Sequence, residues 1–135
     1  MDTKERILVS ACLLGVPCEG VIRLKERAQL VPVCPEQLGG LATPRTPAER
    51  RGESVVTRDG RDVTAQYRRG AQEALRLARL FGCAKAILKS RSPSCGCGLI
   101  YDGSFSGKLI PGEGVTAQLL RENGVEVRTE MDASR

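Results

Sequence analysis

Four short apolar runs, at residues 6–12, 29–33, 84–89 and 125–128, are separated by segments with helical spacing or helix-ending signals. That alternation constrains the fold more than any other feature. Strands joined through helices run parallel, and a parallel sheet must be covered by those helices. The expected class is α/β: one open, mainly parallel sheet with helices on its faces, Rossmann- or flavodoxin-like, over residues 1–135 as a single domain. The crossover rules favour a strand order 2-1-3-4.

The clearest helix is expected over 62–81. Val63, Tyr67, Ala71, Ala74, Leu75, Ala78 and Phe81 recur at helical spacing, Asp62 is placed to cap the start, and Gly82 closes the end. Cys34-Pro35-Glu36-Gln37-Leu38-Gly39-Gly40 reads as a short helix, with proline in its first turn and a glycine pair to stop it. Gly15, Pro17 and Gly20 make the stretch after the first run a loop. Residues 41–61 read as an excursion with a hairpin near Glu53–Thr57. Residues 90–107 read as loop with a short strand at Leu99–Tyr101. Pro111-Gly112-Glu113-Gly114 is expected to open a helix over about 114–123.

Six cysteines and no histidine narrow the chemistry. Without imidazole there is no Ser-His-Asp or Cys-His catalysis and no histidine-ligated zinc, so protons must move through carboxylates, lysine, tyrosine, cysteine or water. Cys12 and Cys34 end apolar runs and Cys95 follows one closely. Parallel strands bring such positions to one edge of the sheet, where open α/β sheets place their ligands. Soft thiolates at one edge suit an iron–sulfur cluster or zinc. No C-x₂-C pair is present, so spacing alone selects neither a zinc ribbon nor ferredoxin-type ligation. Cys83, between Gly82 and Ala84, reads as a packed, inert thiol. Cys97 reads equally as a ligand or as a small loop residue, and Cys18 could reach the same edge as Cys12. Glu36 is a candidate acid/base or a carboxylate facing a helix start. Lys89 and Arg91 could balance thiolate charge, bind substrate, or snorkel from a strand end. Ser92 and Ser94 offer hydroxyls beside Cys95, as a turn also would.

The remaining composition sets limits. A net charge of +5 is mild, and Arg45, Arg50, Arg51, Arg58 and Arg61 read first as a solvated basic face and second as a groove for an anionic ligand or RNA. No tryptophan and 3% aromatics argue against a nucleic-acid partner that stacks bases. No run approaches the roughly 20 apolar residues of a membrane span. Met1–Arg6 leads into the first run without an apolar leader, which is the pattern expected of a cytoplasmic chain with reduced or metal-bound thiols.

Four motifs occur in order. They are Ser10-Ala11-Cys12-Leu13-Leu14-Gly15 with Cys18; Val33-Cys34-Pro35-Glu36-Gln37-Leu38-Gly39-Gly40-Leu41 with Thr43-Pro44-Arg45; Leu88-Lys89-Ser90-Arg91-Ser92-Pro93-Ser94-Cys95-Gly96; and Ile100-Tyr101-Asp102-Gly103 with Phe105-Ser106-Gly107. Together they resemble a bacterial family, long catalogued as a domain of unknown function, that includes the thiouracil desulfidases. The resemblance runs over about residues 6–128. It implies a [4Fe–4S] cluster held by Cys12, Cys34 and Cys95, with Cys18 as a possible additional ligand and one iron left open. It implies catalytic roles for Glu36 and Ser94, and substrate contacts at Ser10, Lys89 and Ser92. The implied activity is non-redox, hydrolytic removal of sulfur from a 2-thiouracil-like nucleobase or related small thioamide, with iron–sulfur assembly machinery as the partner that loads the cluster. A non-catalytic sulfur carrier or cysteine-bound zinc protein is the alternative. Many members continue with Arg-Tyr-Asp-Gly after the second cysteine; here Cys18 is followed by Glu19-Gly20-Val21, in a loop expected to border the pocket.

Overall fold

A computed structural model describes residues 5–14 and 19–132. Four strands form the central parallel sheet: β1 (Glu5–Ser10), β2 (Ala28–Val33), β5 (Lys85–Leu88) and β8 (Glu126–Thr129), in the order β2-β1-β5-β8. Counted along the chain that is the expected 2-1-3-4. In β1, Ile7 through Ser10 are all buried, because helices cover both faces there and no position turns to water. Leu8 and Leu88 pack with Leu75, Ala78, Ala117 and Leu120 of α3 (Thr64–Phe81) and α4 (Val115–Glu122). Ile7, Val9 and Ile87 pack on the other face with Leu13, Val21 and Leu24. Val21 and Leu24 belong to a short helix, α1 (Glu19–Leu24), in a stretch expected to be loop.

Several boundaries differ from expectation. The first strand stops at Ser10, and Ala11–Leu14 wind into a 3-10 turn. Cys12 therefore sits on a turn just past the strand. Asp62 does not occupy the capping position of α3, which falls on Val63; its Oδ1 instead accepts from the Thr64 N–H at 2.9 Å, so the carboxylate still serves the first turn. Residues 111–113 do not open a helix. They lie in β7 (Leu109–Glu113), paired antiparallel with β6 (Cys97–Tyr101) in a two-stranded ribbon. Such a ribbon has only outer strands, where a proline without an N–H is tolerated.

The excursion after α2 (Pro35–Leu38) carries a hairpin of β3 (Ala48–Arg51) and β4 (Ser54–Thr57). Its arginines are not all a solvated face. Arg50 donates to the Glu113 carbonyl and Arg51 to the Gly103 carbonyl, both at 2.7 Å. Glu49 answers by accepting from the Gly103 and Phe105 N–H groups, and Arg58 lies 5.6 Å from the Phe105 ring centre. These bonds fasten the hairpin to the loop of the β6–β7 ribbon.

Two glycines set where α2 lies. An added Cβ at Gly70 of α3 would run into the Pro35 carbonyl, and one at Gly39 would run into the Gln66 carbonyl. Backbone therefore meets backbone at this crossing, which holds Cys34 and Glu36 over the first turns of α3.

Candidate metal centre

Parallel pairing puts the carboxyl ends of β1, β2 and β5 side by side, with Ser10 opposite Val33 and Val9 opposite Ile87. Cys12 follows β1 by two residues, Cys34 follows β2 directly, and Lys89 follows β5 directly. Cys34 takes an extended conformation at the start of α2, where Pro35 opens the helix and Glu36 lies in its first turn. The three thiols differ in exposure: Cys12 is exposed, Cys34 half-buried and Cys95 buried.

The groups sense one another. Burial pushes the Cys95 thiol up to about 12, with the Glu36 carboxylate adding to the rise; hydrogen bonds from Ser10 and Ser94 oppose it. Burial also raises the Cys12 thiol, followed by the charges of Glu36 and Cys34, while Lys89 pulls it down. Cys12, Cys34, Cys95, Glu36, Ser10, Ser94 and Lys89 thus share one site. Cys18 lies outside the described residues.

Ser92, Ser94 and Cys95 sit in a loop that doubles as the cap of α4. Ser92 Oγ accepts from the Ser94 and Cys95 N–H groups, both at 3.1 Å. The Pro93 carbonyl accepts from the Val115 N–H, and the Ser94 carbonyl from those of Thr116 and Ala117. The first turn of α4 has no side-chain cap, so this loop satisfies donors that would otherwise be orphaned. The approach is so close that a Cβ on Gly114 would overlap the Ser94 carbonyl. Ser94 is fully buried, with its Oγ 2.8 Å from Thr116 Oγ1. It faces the Cys95 sulfur and the helix, and offers no surface to a substrate. Ser92 lines a cleft of about 870 Å³ whose wall includes Lys89, Arg91, Arg58, Tyr101 and Phe105.

Arg45, Tyr67, Thr116 and Glu130 join the site without having been marked as site residues in the sequence. Arg45 lies 3.4 Å from the Glu36 carboxylate and also donates to Thr43 Oγ1 at 2.7 Å. Tyr67 is buried, and its phenol is pushed far up by burial and by Glu36, against a hydrogen bond from Arg45. Glu130 accepts from the Ser90 N–H and pairs with Lys89 at 3.8 Å. The available signal was Tyr67 itself, since a buried phenol needs a polar partner. Cys83 packs in the core as expected. Cys97 senses Glu113, Asp132 and Arg121 and lies 3.8 Å from the Val127 carbonyl, apart from the other thiols.

Among the described residues, no three Cys, Asp or Glu side chains converge closely enough to hold a single metal ion. Each cysteine of a cubane binds its own iron, so cluster ligands stand further apart than the ligands of one ion. Thiols that burial and carboxylates keep protonated become thiolates when a strongly positive group binds them. The donor set, three thiols from three segments and no imidazole, fits an iron–sulfur cluster.

Fold and site together define an α/β protein with a thiol-lined centre at the carboxyl edge of its sheet. The family model described as 2-thiouracil desulfurase matches residues 7–132, and the chain belongs to that family. A solved structure described as the [4Fe–4S]-dependent thiouracil desulfidase TudS is 46% identical, with a TM-score of 0.90, covering 96% of this chain and 93% of its own. The uncharacterized protein YbbK of Bacillus subtilis (strain 168) is 43% identical over 92% of this chain and 95% of its own length.

Proposed function

We propose that this protein is a [4Fe–4S]-dependent desulfidase that hydrolyses the C=S bond of a 2-thiouracil-like nucleobase or related small thioamide. The observation that carries the reading is the meeting of Cys12, Cys34 and Cys95 with Glu36 at one sheet edge, in a chain of the 2-thiouracil desulfurase family. Cys12, Cys34 and Cys95 hold the cluster. Held by three protein thiolates, such a cluster would supply a Lewis acid for the thiocarbonyl sulfur.

The balance is a thiocarbonyl and water giving a carbonyl and hydrogen sulfide, with no change in oxidation state. Glu36 takes the proton of the attacking water. Arg45, 3.4 Å from its carboxylate, aims it. Lys89 and Ser92, on the rim of the cleft, contact the heteroaromatic ring, and Tyr101 and Phe105 supply apolar wall. Ser10 and Ser94 act from behind, through the Cys95 sulfur. Iron–sulfur assembly machinery is the loading partner. No helix among the described residues is long and apolar enough to cross a membrane.

The test is anaerobic purification, assay of iron and acid-labile sulfide, and incubation with 2-thiouracil. Uracil and sulfide are expected in equal amounts. Glu36→Gln is expected to keep the cluster and lose roughly 10²- to 10⁴-fold in kcat. A cluster-bearing Glu36→Gln protein with full turnover would remove Glu36 from the mechanism, and a chain without iron would remove the reading.

A further inference from the structure

We propose that Phe105 is a specificity-determining residue, the side chain that takes the flat face of the substrate's ring, and that Glu49 is the residue that positions it. The inference rests on the desulfidase reading above and names what selects a heteroaromatic thioamide at that site.

The chain has two tyrosines, two phenylalanines and no tryptophan. Tyr67 is buried in the core, and Phe81 lies exposed at the end of α3. Tyr101 and Phe105 both line the cleft of about 870 Å³. Phe105 packs in none of the three apolar clusters. The core therefore does not require a ring at this position.

Its backbone points to the same place. Among the described residues, Phe105 (φ +58°) and Arg91 (φ +66°) are the two non-glycine residues in the left-handed region. Both line this cleft. A Cβ makes that conformation costly, the more so for a bulky side chain, and it persists only where the surroundings impose it. The same loop uses glycine for it at Gly103 (φ +93°) and Gly107 (φ +82°).

Glu49 of β3 imposes it on Phe105. Its Oε1 accepts from the Gly103 N–H at 3.0 Å and from the Phe105 N–H at 3.1 Å. Arg51, on the same strand, donates to the Gly103 carbonyl at 2.7 Å. The Asp102 N–H bonds the Lys108 carbonyl at 3.0 Å, and the Ser104 N–H bonds Asp102 Oδ1 at 2.9 Å. Each backbone N–H from Asp102 to Phe105 is thus engaged, and one carboxylate from the hairpin holds two of them. Arg58, 5.6 Å from the ring centre, lines the cleft beside it.

The cleft meets the metal centre at Ser92, which lines it and whose Oγ accepts from the Cys95 N–H at 3.1 Å. A ring fixed in the cleft wall offers a planar π-face to a heteroaromatic base. An open-chain thioamide has no such face to stack. The cost of holding Phe105 in its strained conformation is then spent on recognition.

The experiment compares anaerobically reconstituted wild type with Phe105→Ala, Phe105→Leu, Phe105→Tyr, Glu49→Ala and Glu49→Gln, with 2-thiouracil as the substrate. Iron, acid-labile sulfide and uracil release are measured in the wild type first; absence of iron or of turnover overturns the desulfidase reading and this inference with it. With an active wild type, KM and kcat are measured separately. Phe105→Ala and Phe105→Leu are expected to raise KM about 10-fold, within the usual worth of a base–aromatic stack. The change in kcat is expected to be smaller, because a stack is made with substrate and transition state alike. Phe105→Tyr, which keeps the ring, is expected to restore KM. Alanine, leucine and tyrosine all carry a Cβ and meet the same backbone cost, so differences among them report the ring. Glu49→Ala is expected to raise KM in the same direction, and Glu49→Gln, whose amide oxygen still accepts both N–H groups, to restore it. Phe105→Leu carries the test alone should Phe105→Ala fail to fold. A wild-type KM in the Phe105→Leu protein would overturn the inference and leave the desulfidase reading standing. A wild-type KM in Glu49→Ala would overturn the part assigned to Glu49.

Discussion

Cys95 and Cys12 come to the same site from opposite surroundings. Cys95 lies in a buried wall: Ser92 orders its loop, Ser10 and Ser94 are buried close by, and α4 closes the back. Cys12, itself exposed, rides a 3-10 turn beyond β1, where Lys89 pulls its thiol down against the rise from burial, Glu36 and Cys34. The difference separates two tasks. One side of the centre holds its ligand in a single geometry. The other is open, and Lys89, whose charge acts on it, also lines the cleft with Ser92.

The harshest way to break the comparison is Gly114→Ala. Its Cβ would overlap the Ser94 carbonyl, and backbone there cannot yield without moving the Cys95 loop off α4. The expected loss exceeds about 3 kcal/mol of stability, read from the denaturant midpoint, together with loss of bound iron. A midpoint within about 0.5 kcal/mol of wild type would show the wall to be looser than described.

The next effect is on pH dependence in the cluster-free protein. The Cys95 thiol stands at about 12 when folded, against 9.0 for an ordinary thiol. A raised value means the unfolded chain gives up its proton first. The contribution to stability is therefore complete below pH 9 and is lost as pH rises from 9 towards 12. A single thiol accounts for a slope of about 1.4 kcal/mol per pH unit in that window. Denaturation midpoints measured from pH 8 to 10.5 should show the decline, and Cys95→Ala should make it shallower.

The smallest effect sharpens the other side. Alkylation of the cluster-free protein by iodoacetamide, mapped by mass spectrometry, should modify Cys12 well before Cys95. Lys89 favours the Cys12 thiolate, so Lys89→Ala should move its half-rate pH upward, and Glu36→Gln should move it downward. Equal rates at Cys12 and Cys95 would erase the contrast.

The middle of the sheet was legible in the sequence because β1 and β5 are largely buried, and burial on both faces writes continuous apolar runs; the edge strands β2 and β8 are half-open and were legible from their short β-branched runs. The β6–β7 ribbon was only partly legible. Pro111 and Gly112 carry the signals of a helix start, and nothing local says that a two-stranded ribbon will absorb them. At the site, Cys12, Cys34, Cys95 and Glu36 stand out because each follows a strand or opens a helix. Tyr67 and Thr116 do not, since one reads as part of an apolar stripe and the other as an ordinary residue of a first turn. Their roles come from the α2–α3 crossing at Gly39 and Gly70 and from the loop that caps α4. Those contacts join residues far apart in sequence. Arg45 was hidden by its company: among five neighbouring arginines, only the fold shows which one turns to Glu36.

The loop of residues 92–96 has one further consequence. It ends helix α4 on one side and presents Cys95 on the other, so whatever binds that sulfur also clamps the helix. Binding energy at the centre is then shared with the integrity of the chain. A cell short of iron would hold this protein in its loosest form, the form most open to proteases. Its abundance would follow the iron supply with no dedicated sensor.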